Sequence, residues 1–299
     1  MRARRASRSV RARVLCAALC VIAGATALGV GGCGAGVAAH GGTLDVVATE
    51  SFLADIAQNV AGNRFTVRTL IPPGADPHAF EPTPKDVAAV AGADLVIING
   101  GGLEGPLLGT LKNAGGSAAI VAASAGLKTR TPQPGEPPLA AGQTDPHFWL
   151  DPVLVETYVT NIRDALVKAD PAGTTVYKAN AAAYTAKLRR LNAWIKAQVA
   201  QLPEQDRKLV LNHASHGYFA DRYGFQVVGT VIPSVGTSES PTARQLAALT
   251  AAIRKSGARA IFVEKDENPQ LAEQVAAETG IKVVTDLLDH SLTPAGGAA

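Results

Sequence analysis

Cysteine is the first scarcity. The 299-residue chain has three, and Cys16, Cys20 and Cys33 all lie within the first 33 positions. The body that follows has no thiol for a disulfide, a thiolate metal site or a cysteine nucleophile. Any metal it binds falls to imidazoles and carboxylates. Histidine is also sparse, with six in all, and aromatic residues make up 5%. No basic patch suits nucleic acid, and no His-Glu-x-x-His pattern marks a metallohydrolase. What remains is an ordinary globular composition, 47% hydrophobic and 18% charged, long enough for two lobes.

The formal charge of +3 is concentrated at one end. Arg2, Arg4, Arg5, Arg8, Arg11 and Arg13 precede residue 33 with no acid among them, which leaves 22 basic against 25 acidic residues for the rest. Val14 to Val30 is an apolar run rich in Ala and Gly, followed by Gly31-Gly32-Cys33. Arginines, an apolar stretch and small residues before a cysteine resemble a bacterial lipoprotein signal. The expectation is cleavage before Cys33, lipidation of Cys33 and a protein held on the outer face of the membrane or in the periplasm.

Further along, short apolar strands alternate with helical stretches. Strands are expected at 44–49, 65–71, 93–99 and 117–122, and helices at 51–60, 85–91 and 103–113, which predicts a doubly wound parallel sheet. Thr131 to Gln143 is rich in Pro and Gly and reads as a mobile surface loop. A helix over 152–169 precedes the longest periodic segment, 172–202. There Tyr177, Ala181, Tyr184, Leu188, Leu191, Ile195 and Val199 fall on one helical face. The alternation then resumes. Strands are expected at 208–212, 225–231, 259–264 and 281–285, and helices at 216–223, 241–255 (capped by Ser240) and 269–279. The expected organisation is a signal peptide over 1–32, a tether over 33–43, an N-terminal α/β lobe over 44–171, a rigid linking helix over 172–202 and a shortened C-terminal α/β lobe over 203–299.

Two Asp-Pro-His tripeptides stand out, Asp76-Pro77-His78 and Asp145-Pro146-His147. Proline fixes its own φ and restricts the residue before it, so each imidazole is presented from a stiff support. Ligands of open parallel sheets gather at the carboxyl ends of the strands. His78, His213, Glu264 and Asp289 each follow or end an expected strand, and His147 opens a helix after the Pro-rich loop. Three imidazoles and a carboxylate suit Zn²⁺, with Mn²⁺ or Fe²⁺ as alternatives. His216, three residues after His213, competes for the same role. His40 lies in the tether, and His290, beside Asp289, reads as solvated. Asp76, Asp145, Glu81 and Asp151 are candidates to orient imidazoles or to cap helices.

Those residues resemble the metal loops of the zinc/manganese-binding lipoproteins that serve metal-uptake ABC transporters. Pro73 to His78 with Glu81-Pro82-Thr83-Pro84 is similar to the first loop, and Asp145 to Pro152 to the second. His213-Ala214-Ser215-His216-Gly217-Tyr218-Phe219 is similar to the third, and Ile261 to Glu264 with the Asp289 region to the fourth. The resemblance runs in order over residues 44–293. It implies two α/β lobes joined by one long helix, with metal in the cleft between them. Carried over position by position, it implies His78, His147, His213 and Asp289 as ligands, with Asp286 as the alternative to Asp289 and Glu264 as a nearby acid. Histidine at the third position goes with the zinc-type members, glutamate with the manganese-type.

The resemblance also implies function. The chain is expected to be a monomeric, non-enzymatic receptor that captures Zn²⁺ (or alternatively Mn²⁺) outside the membrane and passes it to an ABC permease. A manganese or iron receptor, an exported metallohydrolase with Glu264 as base, and a surface adhesin are the alternatives. Two departures stand beside the resemblance. Residues 131–143 contain no histidine where zinc-type members carry a His-rich loop, and the final helix of most members is missing from the sequence.

Overall fold

The computed structural model describes residues 43–113 and 115–293. The expected signal peptide, Cys33 and His40 lie outside the described residues. Among the described residues no helix is long and apolar enough to cross a membrane.

Two four-stranded sheets carry the fold, and every pairing in them is parallel. The first is built from β1 (Val46–Ala48), β2 (Val67–Thr69), β3 (Leu95–Ile98) and β4 (Ala119–Ala122), in the order β2-β1-β3-β4. The second uses β5 (Lys208–Leu211), β6 (Gln226–Thr230), β7 (Ala260–Glu264) and β8 (Lys282–Leu287), in the order β6-β5-β7-β8. The two orders are the same pattern repeated. Each chain path turns back between its first and third strands, so each sheet has a crevice at that point.

Strand periodicity splits the first lobe's core into two layers. Val46, Ala48, Leu95 and Ile97 face α1 (Ser51–Ala61), α4 (Pro152–Ala169) and α5 (Thr174–Val199), while Val47, Val96 and Ile98 face α2 (Pro84–Ala91) and α3 (Gly105–Asn113). Successive side chains of a strand point to opposite faces, so a fully buried strand is apolar at every position. In the second lobe α6 (Gly217–Tyr223) lies on one side of the sheet. The other side is covered by α7 (Ala243–Ser256) and α8 (Gln270–Thr279).

The long helix is present as 26 residues, roughly 39 Å at 1.5 Å per residue. Tyr177, Ala181, Leu188 and Val199 are buried on it, as the periodicity predicts. Leu191 departs from that face and is 43% exposed, next to Trp194 at 61%. The physical reason is that α5 packs chiefly on α1 and α4. Past that contact the helix meets α6 more lightly, where Tyr223 donates to Asn192 Oδ1 at 3.1 Å.

Two local expectations are corrected. The cap of α7 is Thr242, not Ser240: its hydroxyl accepts from the Gln245 amide while the Gln245 side chain returns to the Thr242 N–H. The Pro-rich segment 131–143 is docked, not free. Arg130 is almost fully buried and pairs with Glu136 and Asp221 at 2.7 and 2.6 Å. Gln133 accepts from the Val227 amide at 2.9 Å and donates to Phe225 O at 3.2 Å. This covers the outer edge of β6, whose open N–H groups would otherwise invite a foreign strand. The prolines read as mobility, but the polar side chains between them tie the segment down.

Gly135 makes the docking steric as well. A Cβ there would lie 2.0 Å from the Val227 carbonyl oxygen. Gly135→Ala is therefore expected to lift the segment off β6, read as faster cleavage between 131 and 143 by a nonspecific protease. Unchanged digestion would show that the docking is not needed to protect it.

Candidate metal centre between two sheets

Both Asp-Pro-His motifs fold the same way. Asp76 Oδ1 accepts from the His78 amide at 2.8 Å, and Asp145 Oδ1 accepts from the His147 amide at 3.1 Å. An aspartate bonding the backbone two residues on closes a small turn. With proline between them, the histidine is held from two sides. Asp76 is itself anchored by Thr237, whose hydroxyl donates to Oδ2 at 2.5 Å.

The second motif rests on a built platform. Phe148 and Trp149 form a buried 3₁₀ turn directly after His147, Trp149 stacks on Phe52 at 4.6 Å, and Asp151 caps α4. Below it, Asn99 donates to Pro146 O at 3.0 Å, and Gly101 passes so close that a Cβ would lie 3.2 Å from Pro146 Cα. Gly100, Gly101 and Gly102 all have positive φ (82°, 67° and 91°), a conformation glycine adopts without strain. Tyr218 of α6 donates to Asp145 O at 2.9 Å, which joins the second lobe to this loop.

Four imidazoles meet at the carboxyl ends of the strands. His147 Nε2 lies 3.3 Å from both His78 Nε2 and His213 Nε2. His290 joins them, its ring centre 5.0 Å from His213 and 5.2 Å from His78. One ring nitrogen of each of the four lies within 4.8 Å of the others. His147, His213 and His290 are buried, and His78 is half-buried at the mouth. Beside it opens a cleft of about 700 Å³ lined by Asp76, Glu239, Asp266 and Glu267.

Carboxylates stand behind these rings. Asp145 Oδ1 is 2.9 Å from His147 Nδ1. Glu264 and Glu267 are each 3.2 Å from His213 Nδ1. Burial and the neighbouring imidazoles push His78 and His147 well below the ordinary histidine range. Burial opposes charge on His213 too, but Glu264 and Glu267 overcome it and raise that ring. Burial, helped by the nearby Glu136 carboxylate, lifts Asp145 to about 7 against the pull of the His147 amide and of Arg130. The result is two neutral rings, His78 and His147, beside rings whose acids hold a proton that an arriving divalent cation can displace.

The sequence candidates separate clearly. His78, His147 and His213 come together. Asp289 is buried near them; its oxygens group with His216 and Glu264, or with Asp266 and His290, and lie outside the four-imidazole group. Glu264 is a buried neighbour that accepts from Ser215 at 3.0 Å. His216 bonds to the Ser215 hydroxyl at 2.7 Å and is not one of the four. Glu81 and Asp286 are exposed and join no candidate group among the described residues. Asp151 caps a helix and pairs with Arg222 at 2.8 Å, so it orients no imidazole. His290 is the reversal. Expected to be solvated, it is 2% exposed, because the chain after β8 turns inward at Asp289. Its only sequence signal was adjacency to an expected ligand.

Sequence reasoning also missed a buried acid pair beneath the platform. Glu104 accepts from the Asn99 and Gly100 amides, and Thr49 donates to both Glu50 and Glu104. Desolvation first, and mutual repulsion for Glu50, raise both carboxyls above their usual range.

Comparison with known proteins agrees with this geometry. The profile of a family described as zinc-uptake complex component A, periplasmic, matches residues 46–298. The chain is 34% identical over 272 residues to the manganese-binding lipoprotein MntA of Halalkalibacterium halodurans, spanning 90% of this chain and 87% of that one. It is 33% identical over 238 residues to the iron-binding protein YfeA of Yersinia pestis, spanning 79% and 74%. Among solved structures, the periplasmic zinc-binding protein TroA of Treponema pallidum superposes with a TM-score of 0.77 at 29% identity, over 86% of this chain and 92% of that one. Three similar proteins carry three different metals in their names, so similarity alone leaves the cargo open.

The acid pair has a consequence for pH. A carboxyl whose pKa is raised on folding binds its proton more tightly in the folded state. The folded state therefore loses stability as pH climbs above the unfolded value near 4.5. Each tenfold gain in proton affinity on folding corresponds to about 1.4 kcal/mol. Glu50→Gln is expected to raise the Tm at pH 7.5 more than at pH 5, so that the two values converge. Thermal melts giving the same change at both pH values would contradict a shared proton in this pair.

Proposed function

The chain belongs to the family of periplasmic zinc-uptake components, the substrate-binding proteins of metal ABC transporters and not enzymes, and on that premise we propose that its cargo is Zn²⁺. In this reading the protein works outside the cytoplasmic membrane, tethered through Cys33, and delivers the ion to a permease. His78 and His147 bind from the first lobe, His213 from the second, and the Asp289–His290 pair supplies a fourth donor.

One observation carries the choice of metal: the contact between three imidazole Nε2 atoms, with both spacings 3.3 Å. Neutral nitrogen donors suit Zn²⁺, whereas Mn²⁺ favours carboxylate and water oxygens. A closed set of protein ligands suits carriage, since a catalytic zinc keeps a position open for water. The runner-up is Mn²⁺, favoured by the 34% identical relative named for that metal and by the buried carboxylates of Glu264 and Asp289.

Binding and release follow from the same donors. Imidazole binds metal only when neutral, so protons and the ion compete for the site. Burial and crowding keep His78 and His147 neutral. Asp145, Glu264 and Glu267 hold the rings from behind, and the Glu264 carboxylate, kept ionised by His213 beside it, offsets the charge of an arriving cation.

The full chain, purified in detergent to retain any anchored form, is expected to carry near-stoichiometric zinc and to prefer Zn²⁺ to Mn²⁺ by at least tenfold in competition. His213→Ala should abolish that preference. Preference for Mn²⁺ in the wild type would reject the zinc reading. Affinity should also fall from pH 7.5 to pH 5, by up to about tenfold per pH unit for each proton displaced. Equal affinity at both pH values would rule out an imidazole-based site.

A further inference from the structure

We propose that His290, and not Asp289, is the fourth ligand, which makes the centre an all-imidazole set of His78, His147, His213 and His290. The inference rests on the metal-receptor reading above and specifies its donor set.

Geometry is the first support. A ring nitrogen of His290 lies within 4.8 Å of one nitrogen on each of the other three rings, whereas Asp289 oxygens do not join that group. His290 is buried, and neither of its nitrogens has a hydrogen-bond partner. A buried, unpartnered imidazole is costly to keep. Binding a cation through one nitrogen removes the cost.

The second support is a pattern shared by three of the rings. The Nδ1 atoms of His147 and His213 each face carboxylates, Asp145 at 2.9 Å, and Glu264 and Glu267 at 3.2 Å. His290 Nδ1 faces Asp289 Oδ1 at 3.5 Å and Asp266 Oδ2 at 3.7 Å. A metal-binding histidine almost always gives its second nitrogen to such a partner. Asp289 lies behind His290 on the same side as Asp145 lies behind His147, at ion-pair instead of hydrogen-bond distance, which leaves the His290 Nε2 for the ion.

The third support is that the position is built. Trp149 Nε1 donates to Asp289 O at 2.7 Å, the Gly74 amide donates to Ser291 Oγ at 3.0 Å, and the Leu292 amide donates to Ser51 Oγ at 3.0 Å. Three bonds to the first lobe hold Asp289, Ser291 and Leu292, the residues that flank His290 after β8 of the second. A loop with a solvated histidine needs no such fastening.

Four nitrogen donors with no oxygen among them favour Zn²⁺ over Mn²⁺ more strongly than three would. His290 is thus assigned as the residue that sharpens selectivity, and Asp289 as a positioning residue acting through it.

The test counts imidazoles directly. Zinc K-edge X-ray absorption on the zinc-loaded full chain is expected to give four histidine nitrogens and no carboxylate oxygen. His290→Ala should lower the count to three, while Asp289→Asn should leave it at four. In competition titrations Asp289→Asn should weaken zinc binding by roughly 10- to 100-fold, the range for a group acting through a ligand, and His290→Ala by more. His290→Gln, which keeps most of the volume, separates loss of the donor from misfolding and should behave as His290→Ala does. Three imidazoles and one oxygen in the wild type, or an Asp289→Asn defect larger than that of His290→Ala, would overturn the assignment while leaving the receptor reading intact. A wild-type protein that binds no zinc would overturn both.

Discussion

The structure depends on crowding four imidazoles against one another where water cannot separate them. Two charged rings about 4 Å apart would repel by about 4 kcal/mol at an effective dielectric near 20. The rings at the centre therefore cannot all be protonated, and burial already pushes His78 and His147 toward the neutral form. Such a nest has a standing demand for positive charge at a single point. The acids behind it, Asp145, Glu264, Glu267, Asp266 and Asp289, increase that demand.

Much of the remaining architecture can be understood as support for those rings. The repeated strand order gives each lobe a parallel sheet, and His213 and His290 follow the carboxyl ends of β5 and β8 in the second. Asp-Pro-His turns stiffen two of the rings, and the 3₁₀ turn with its Phe52–Trp149 stack gives the second turn a floor. Trp149 serves twice, since its ring packs the first lobe and its N–H holds the Asp289 carbonyl. The Pro-rich segment also serves both lobes. Arg130 and Gln133 tie it to α6 and β6, next to the strands that present His213.

Family membership sets the class of cargo but not its identity, because similar chains are named for manganese, iron and zinc. Discrimination has to come from donors that differ among related folds. In this chain the donors to examine are His213 and the Asp289–His290 pair. The same scaffold could be turned toward a harder ion by exchanging one imidazole for a carboxylate, with little change to the sheets or to the long helix.

The apolar strands, the helix periodicity and the two Asp-Pro-His motifs made the fold class, its element order and three converging histidines readable from sequence. These are local signals: each strand or turn is specified by residues within a few positions of itself. Other features needed the tertiary structure. Leu191 lies in register with a buried face, yet it is exposed because no element packs there. Residues 131–143 have the composition of a free loop, yet three polar side chains dock them. Asp289 and His290 are neighbours in sequence, and no periodicity says which of them turns toward the other histidines. That was decided by three hydrogen bonds to residues more than 100 positions away, which bring the end of β8 inward and bury His290. The imidazole and carboxylate donors were written in the chain, whereas their convergence depended on contacts between segments that sequence distance conceals.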